Sequence, residues 1–286
     1  MNACKDEKSM EDRIETIGKG SIIQHGKLNN RIYLIKLRKE DCPGLLDLLR
    51  RMAVEQAYTK IFCKVPEWAA PLFIADGYMT EAIIPGFFNG NDAAFFLAKY
   101  LDSDRLMNVE NQSLGALSEL LKSDPRRVKL PNRDSFKIKQ LEVTDVEQIT
   151  DLYRKVFLSY PFPIHNPGYI LKTMKEKVRY FGVKKKGKLI AVASAEIDFE
   201  EENAEMTDFA TSPDFRGKKL GQLLLAKMEK EMKALRIQTL YTIARLPSIP
   251  MNKVFLNYQY QYAGTLLRNT NISGSIESMN VYYKHL

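Results

Sequence analysis

The chain has 286 residues, of which 45% are hydrophobic and 27% charged, with 15 Gly and 12 Pro. These values sit near the globular average and exclude disordered, collagen-like and fibrous architectures. The formal net charge of +8, from 43 basic and 35 acidic side chains, permits an anionic partner such as nucleic acid, an acidic membrane surface or a phosphorylated coenzyme, and selects none of them. Cys4, Cys42 and Cys63, with His25, His165 and His285, are too few and too scattered for a disulfide framework or a zinc cage, so no metal is expected. Met1 to Asp12 has mixed charge and no apolar signal core, and no run approaches the roughly 20 apolar residues that span a bilayer. The expectation is a reduced, soluble, cytoplasmic protein.

Residues 1–30 are polar and glycine-punctuated and read as a loose lead-in. An N-terminal α/β unit is expected over 31–122. It starts with strand Arg31–Leu37, a helix from Pro43, and strand Tyr58–Val65. A short helix from Pro66 then stops near Gly77, and two apolar runs flank Asn89-Gly-Asn-Asp92, a hairpin signal. One more helix, Ser113–Leu121, precedes a linker at 123–134.

A second unit fills 135–286. It opens with strand Phe136–Leu141 and a helix whose start carries the capping box Thr144-Asp-Val-Glu147. Strands Val178–Val183 and Leu189–Ile197 follow. Between them, Lys184-Lys-Lys-Gly-Lys188 reads as a solvated hairpin tip rather than a nucleic-acid contact, for it lacks interleaved aromatics. Strand Ala204–Thr211 runs into a helix with Leu220, Leu223, Leu224, Met228 and Met232 on one face. Strand Thr239–Arg245, a short helix at Asn252–Asn257 and two closing strands complete the unit. The two units show the same sequence of helix, strand, helix and hairpin, which reads as an internal half-repeat.

The chemistry concentrates in Ala204-Glu-Met-Thr-Asp-Phe-Ala-Thr211 and the following Ser212-Pro-Asp-Phe-Arg-Gly-Lys-Lys-Leu-Gly221. A strand here feeds a basic, glycine-containing loop at a helix N-terminus. First-turn amides lack helical acceptors, and the helix dipole adds partial positive charge. Gly217 and Gly221 allow close approach, while Arg216, Lys218 and Lys219 add positive charge, a setting suited to pyrophosphate. The pattern is neither a Walker A loop nor a Rossmann fingerprint.

This arrangement resembles the coenzyme A loop of the GNAT acyltransferase superfamily, Arg/Gln-x-x-Gly-x-Gly/Ala. Arg216 and Gly221 match its ends, and Lys219 stands where the internal glycine usually is. The order of elements from Phe136 onward is also that of the superfamily. Segments along most of the chain, among them Tyr58–Pro66, Ile84–Gly90, Met251-Asn252, Gly264–Leu266 and Asn269–Lys284, are similar to the β-lysine N6-acetyltransferase family. The resemblance implies an α+β GNAT fold, a mixed central sheet flanked by helices. It implies acetyl-CoA as co-substrate and acetylation of the N6 amine of L-β-lysine to give the osmolyte N6-acetyl-β-lysine. The alternatives are a GNAT enzyme for another small amine, either a diamino acid or a polyamine, and a non-catalytic CoA-binding interaction protein.

Site roles follow from the same resemblance. Glu205 is the general-base candidate, and Tyr258, as a neighbouring substitute, or solvent would supply a proton to the leaving thiolate, since Phe255 occupies the family's usual tyrosine position. Phe209 and Thr211 would present backbone to the pantetheine arm, Arg216 to Gly221 would hold the pyrophosphate, and Asn252 would bond the cofactor amide or cap a helix. Asp208, Glu196 and Glu277 are candidate partners for a substrate ammonium, and Arg245 and Arg268 for its carboxylate. Strand alternation is expected to point Glu205 and Asp208 to opposite faces. The Pro-aromatic segment Tyr160–Tyr169 falls where the family places a substrate lid. The N-terminal unit lacks the loop; it is expected to bind no CoA and to cover the substrate site or support a homodimer. Residues 1–134 carry net +1 and 135–286 net +7, so the excess charge lies with the coenzyme loop and needs no nucleic acid to explain it.

Overall fold

A computed structural model describes residues 12–123 and 136–286. In chain order its first half comprises β1 (Arg13–Ile17), β2 (Ser21–Gly26), β3 (Arg31–Lys36), α1 (Gly44–Glu55), β4 (Lys60–Pro66), α2 (Ala70–Ala75), β5 (Met79–Phe88), β6 (Asp92–Tyr100), α3 (Ser103–Met107) and α4 (Asn111–Lys122). The second half comprises β7 (Ile138–Gln140), α5 (Val146–Val156), α6 (Pro167–Glu176), β8 (Val178–Lys185), β9 (Lys188–Asp198), β10 (Asn203–Thr211), α7 (Leu220–Ala234), β11 (Thr239–Arg245), α8 (Ile249–Asn257), β12 (Gln261–Ile272) and β13 (Ser275–His285). The linker expected at 123–134 lies, apart from Ser123, outside the described residues.

All the strands join one mixed sheet in the order β1-β2-β3-β4-β6-β5-β12-β13-β11-β10-β9-β8-β7. Its middle is nearly symmetric. β3 pairs parallel with β4 across α1, as β10 pairs parallel with β11 across α7. Hairpins β5–β6 and β12–β13 then lie antiparallel to β4 and β11. The two halves meet at one register pair, Gly264 with Ala82. One hydrophobic cluster spans the junction, drawing Tyr33, Phe62 and Phe87 from the first half and Tyr153, Ile164 and Tyr241 from the second. Two further clusters lie under α1 and α2, and under α7 and α8.

Three expectations need correction. Residues 13–26 of the lead-in are strands rather than loose chain. The turn between them is held by Asp41, whose carboxylate accepts from the Lys19 amide at 2.6 Å and the Ser21 hydroxyl at 2.6 Å. The polar residues of β2 are buried because they are paired, Gln24 to the Pro161 carbonyl and His25 to the Tyr58 hydroxyl. The capping box sits two residues earlier than Thr144–Glu147: Glu142 and Asp145 form it across a short 3-10 turn, the Glu142 amide donating to Asp145 Oδ2 at 3.0 Å. Finally, α6 emerges within and beyond the Pro-aromatic segment, capped by Asn166, whose Oδ1 accepts from the Gly168 amide at 2.8 Å.

Candidate active site

Both halves line a cavity of about 1380 Å³. Its acidic wall is built on the β9–β10 pair. Glu205 lies directly opposite Glu196 in the antiparallel register, which sets both side chains on one face. Strand alternation alone would turn Asp208 away from Glu205. Instead the register slips between Thr207 and Ala210, and Asp208 takes a left-handed backbone with φ of 55°. The bulge returns Asp208 to the cavity, so all three carboxylates line it. The expectation of opposite faces is overturned by that local kink.

Asp208 is held tightly, accepting from the Tyr160 hydroxyl and from Ser194 Oγ at 2.5 Å. The Tyr241 hydroxyl, which receives Lys64 Nζ at 3.4 Å, lies beside Glu205 on the cavity wall. Loss of hydration raises all three carboxyl groups above the ordinary range, and the neighbouring carboxylates add to this for Glu196 and Glu205. For Glu205 the Lys64 ammonium and the Tyr241 hydrogen bond pull the other way, leaving it pushed up to about 7. Glu196 remains accessible to cavity solvent. Lys64 is correspondingly lowered by burial, partly offset by Glu205, Asp198 and Glu196. The rings of Tyr160, Tyr169 and Tyr180 also line this part of the cavity, which suits a cation.

A slot opens beside this cluster. β10 hydrogen-bonds to β9 as far as Thr211, but to β11 only over Asn203 to Glu205. Beyond Glu205 the two parallel strands splay, leaving one edge of residues 206–211 without a strand partner, with Thr207, Phe209 and Thr211 on the cavity wall. At its far end the chain makes a short 3-10 turn, Pro213–Phe215, and enters α7 through Lys219 at φ 58° and ψ 26°. Glycine takes this left-handed conformation freely, while other residues pay about 1–2 kcal/mol. A Cβ on Gly217 would meet nothing within 4 Å, and one on Gly221 only Met251 Sδ at 3.9 Å and Phe209 Cδ1 at 4.0 Å. Open space therefore borders the first turn of α7, where amides have no helical acceptor, with Arg216 and Lys219 on the cavity wall.

Residues 146–256 match the model of the Acetyltransferase (GNAT) family. Over 264 residues the chain is 37% identical to the β-lysine N(6)-acetyltransferase of Methanococcus maripaludis, covering 92% of this chain and 96% of that one. The chain belongs to the GNAT acetyltransferase family. The N-acetyltransferase YodP of Bacillus subtilis is 30% identical over 273 residues, covering 96% of this chain and 98% of its own. A β-lysine N(6)-acetyltransferase from Methanosarcina mazei is 30% identical over 233 residues, covering 73% and 85%. The mixed sheet with its splayed pair is thus the GNAT fold, and the protein is an acetyl-CoA-dependent N-acetyltransferase.

In this acetyltransferase the splayed edge and the α7 loop fit coenzyme A. The free edge offers strand-like bonds to a pantetheine amide, and the loop offers amides and cations to a pyrophosphate. Lys218 stands apart, its ammonium 4.9 Å from the Phe215 ring centre and off the cavity wall. Asn252 contributes differently from the expectation. It is fully buried, donating to the Arg245 carbonyl at 2.9 Å and the Ser248 carbonyl at 2.8 Å, and accepting from Asn280 at 2.7 Å and Tyr282 at 2.9 Å. Its amide is saturated, so it braces β11 and α8 and has nothing left for a cofactor.

The proposed acid Tyr258, together with Glu277 and Arg268, lies off the cavity wall, and Arg245, which is on it, is already paired. Tyr258 turns off the cavity wall onto α7, donating to the Gln222 carbonyl at 2.9 Å, while Phe255 lies on the cavity wall. Glu277 and Arg245 satisfy each other in a bidentate pair at 2.8 and 2.6 Å. Arg268 lies 3.9 Å from Glu110 and, like Glu277, off the cavity wall. Sequence reasoning missed Lys64, Tyr241, Tyr33 and Arg31 as cavity residues. Three of them come from the half without a coenzyme loop. Their only sequence signal is cation and aromatic at alternate positions of β3 and β4, which reads equally well as surface.

Proposed function

We propose that the acceptor is L-β-lysine and the product N6-acetyl-β-lysine. The observation that carries the reaction is the placement of Glu205: it is the last residue of β10 paired with β11, so its carboxylate stands at the apex of the slot. A thioester held in the slot would present its carbonyl near that carboxylate. Glu205 accepts the proton of the incoming N6 amine as the N–C bond forms and the C–S bond breaks, and the CoA thiolate takes its proton from solvent. Glu196 and Asp208, framed by tyrosines, hold the ammonium that is not acetylated. The names of two relatives, each matching most of the chain, support β-lysine over other amines.

Acetyl-CoA turnover, followed as free thiol, tests this against β-lysine, lysine, ornithine and spermidine. The expected result is a clear preference for β-lysine in kcat/KM. Equal rates on all four would reject the assignment, and no thiol release with any amine would reject an enzymatic role.

A further inference from the structure

The acidic end of the cavity has a cationic counterpart that the acetyl-transfer chemistry does not use. Arg31, on β3, is only 3% exposed yet lines the cavity. Its Nη1 donates to the Asn269 carbonyl and to Thr270 Oγ1 at 3.3 Å. Its Nε is buried with no hydrogen-bond partner among the described residues. Its guanidinium carbon lies 5.4 Å from the Tyr33 ring centre and 5.5 Å from that of Phe62, so the cation is flanked by aromatics. Leaving a buried donor of a charged group unpaired is costly unless a ligand completes it.

No described carboxylate lies within ion-pair distance of Arg31. The acids nearest to it electrostatically are committed elsewhere: Asp12 accepts from the Leu28 and Asn29 amides, and Glu81 from Lys60 and Tyr100. Of the other cations this half brings to the cavity, Lys64 lies near Glu205, Asp198 and Glu196, Lys36 pairs with Glu200 at 3.1 Å, Lys39 lies over the Trp68 ring, and Arg38 is beside it on the wall. Tyr33, whose ring centre is 5.4 Å from the Arg31 guanidinium, lines the same cavity as Glu205 and feels the charge of both. The cavity thus carries Glu196, Glu205 and Asp208 on its β9–β10 wall and, on β3, the buried Arg31 guanidinium with its unpartnered Nε.

Resting on the acceptor reading above, we infer that Arg31 receives the carboxylate of a diamino-acid acceptor, so that the N-terminal half, which has no coenzyme loop, sets substrate class. Such a site takes amino acids with a distal amine and discriminates against the corresponding diamines, because a diamine leaves the guanidinium unpaired.

The test compares kcat/KM for L-β-lysine and for 1,4-diaminopentane, the same carbon chain without its carboxyl group, in wild type, Arg31→Gln and Arg31→Lys. The wild type is expected to prefer β-lysine strongly. Arg31→Gln should shrink that preference roughly 10- to 100-fold, mainly through KM for β-lysine, and Arg31→Lys should keep part of it. Arg31→Lys retains the charge and keeps the test valid if the glutamine variant does not fold, which a urea midpoint on each variant reports. An unchanged preference, or equal losses on both substrates, overturns the inference while leaving acetyl transfer intact. A wild type that turns over neither compound rejects the acceptor reading and this inference with it.

Discussion

Replacing Glu205 by Gln is expected to lower kcat by about 10²- to 10⁴-fold, the usual contribution of a positioned general base. Gln is nearly the same shape and can still meet the Tyr241 hydroxyl, so the fold and the slot should persist. The pH profile gives a second reading. Burial holds the Glu205 carboxyl up to about 7, so it is protonated and unable to accept a proton below that value and becomes competent above it. Wild-type kcat should therefore rise with pH through this region, and that limb should flatten in the variant. A steady-state pH series on both proteins checks the two effects together. Unchanged turnover in Glu205→Gln at neutral pH would remove the base from the account.

Gly264→Ala is expected to destabilise the protein by roughly 3–5 kcal/mol, as overpacking against backbone combines with loss of buried paired groups. Gly264 carries the β5–β12 register pair and has φ of +151°. A Cβ there would lie 2.0 Å from the Glu81 carbonyl oxygen and 2.8 Å from Ala82 Cα, both main-chain atoms that cannot swing aside. The contacts beside it are the polar bonds that tie the halves together. Glu81 accepts from Lys60 Nζ at 2.9 Å and from the Leu267 amide at 2.8 Å, while Lys60 also donates to the Leu267 carbonyl at 2.8 Å. Lys60 and Glu81 are buried, so prying the strands apart exposes a charged pair to an incomplete shell. Urea unfolding measures the loss. Activity should fall with it, since Arg31, Lys64 and the acidic wall belong to different halves; a loss under 1 kcal/mol would show that the seam bears little of the fold.

The parts of the molecule legible in sequence are those whose signals are local. Strand and helix periodicity, the Asn89-Gly-Asn-Asp92 hairpin and the loop from Arg216 to Gly221 all rest on neighbouring residues, and the structure places each where the pattern puts it. β1 and β2 escaped notice because their burial depends on partners far along the chain, Asp41 for the turn and Pro161 for Gln24. The bulge at Asp208 escaped for another reason. Period-two alternation assumes an unbroken ladder, and nothing in Thr207-Asp-Phe-Ala210 announces the left-handed residue that reverses it. Charge complements read from composition went astray in the same manner. Arg245, Arg268 and Glu277 are charged residues near the site in sequence, yet pairing within the fold spends Arg245 and Glu277 on each other. A buried cation with an unpartnered donor on the cavity wall is Arg31, far from Glu205 in sequence and brought there by the pairing of the two half-sheets.

The chain is expected to transfer acetyl from acetyl-CoA to one nitrogen of a diamino acid, with Glu205 as the base. Mass spectrometry with NMR of the product from acetyl-CoA and L-β-lysine tests it most directly. The wild type should form a single monoacetylated product carrying the group on N6, and Glu205→Gln should form far less of it. A mixture of positional isomers, acetylation of the other nitrogen, or equal product from the Gln variant would contradict it.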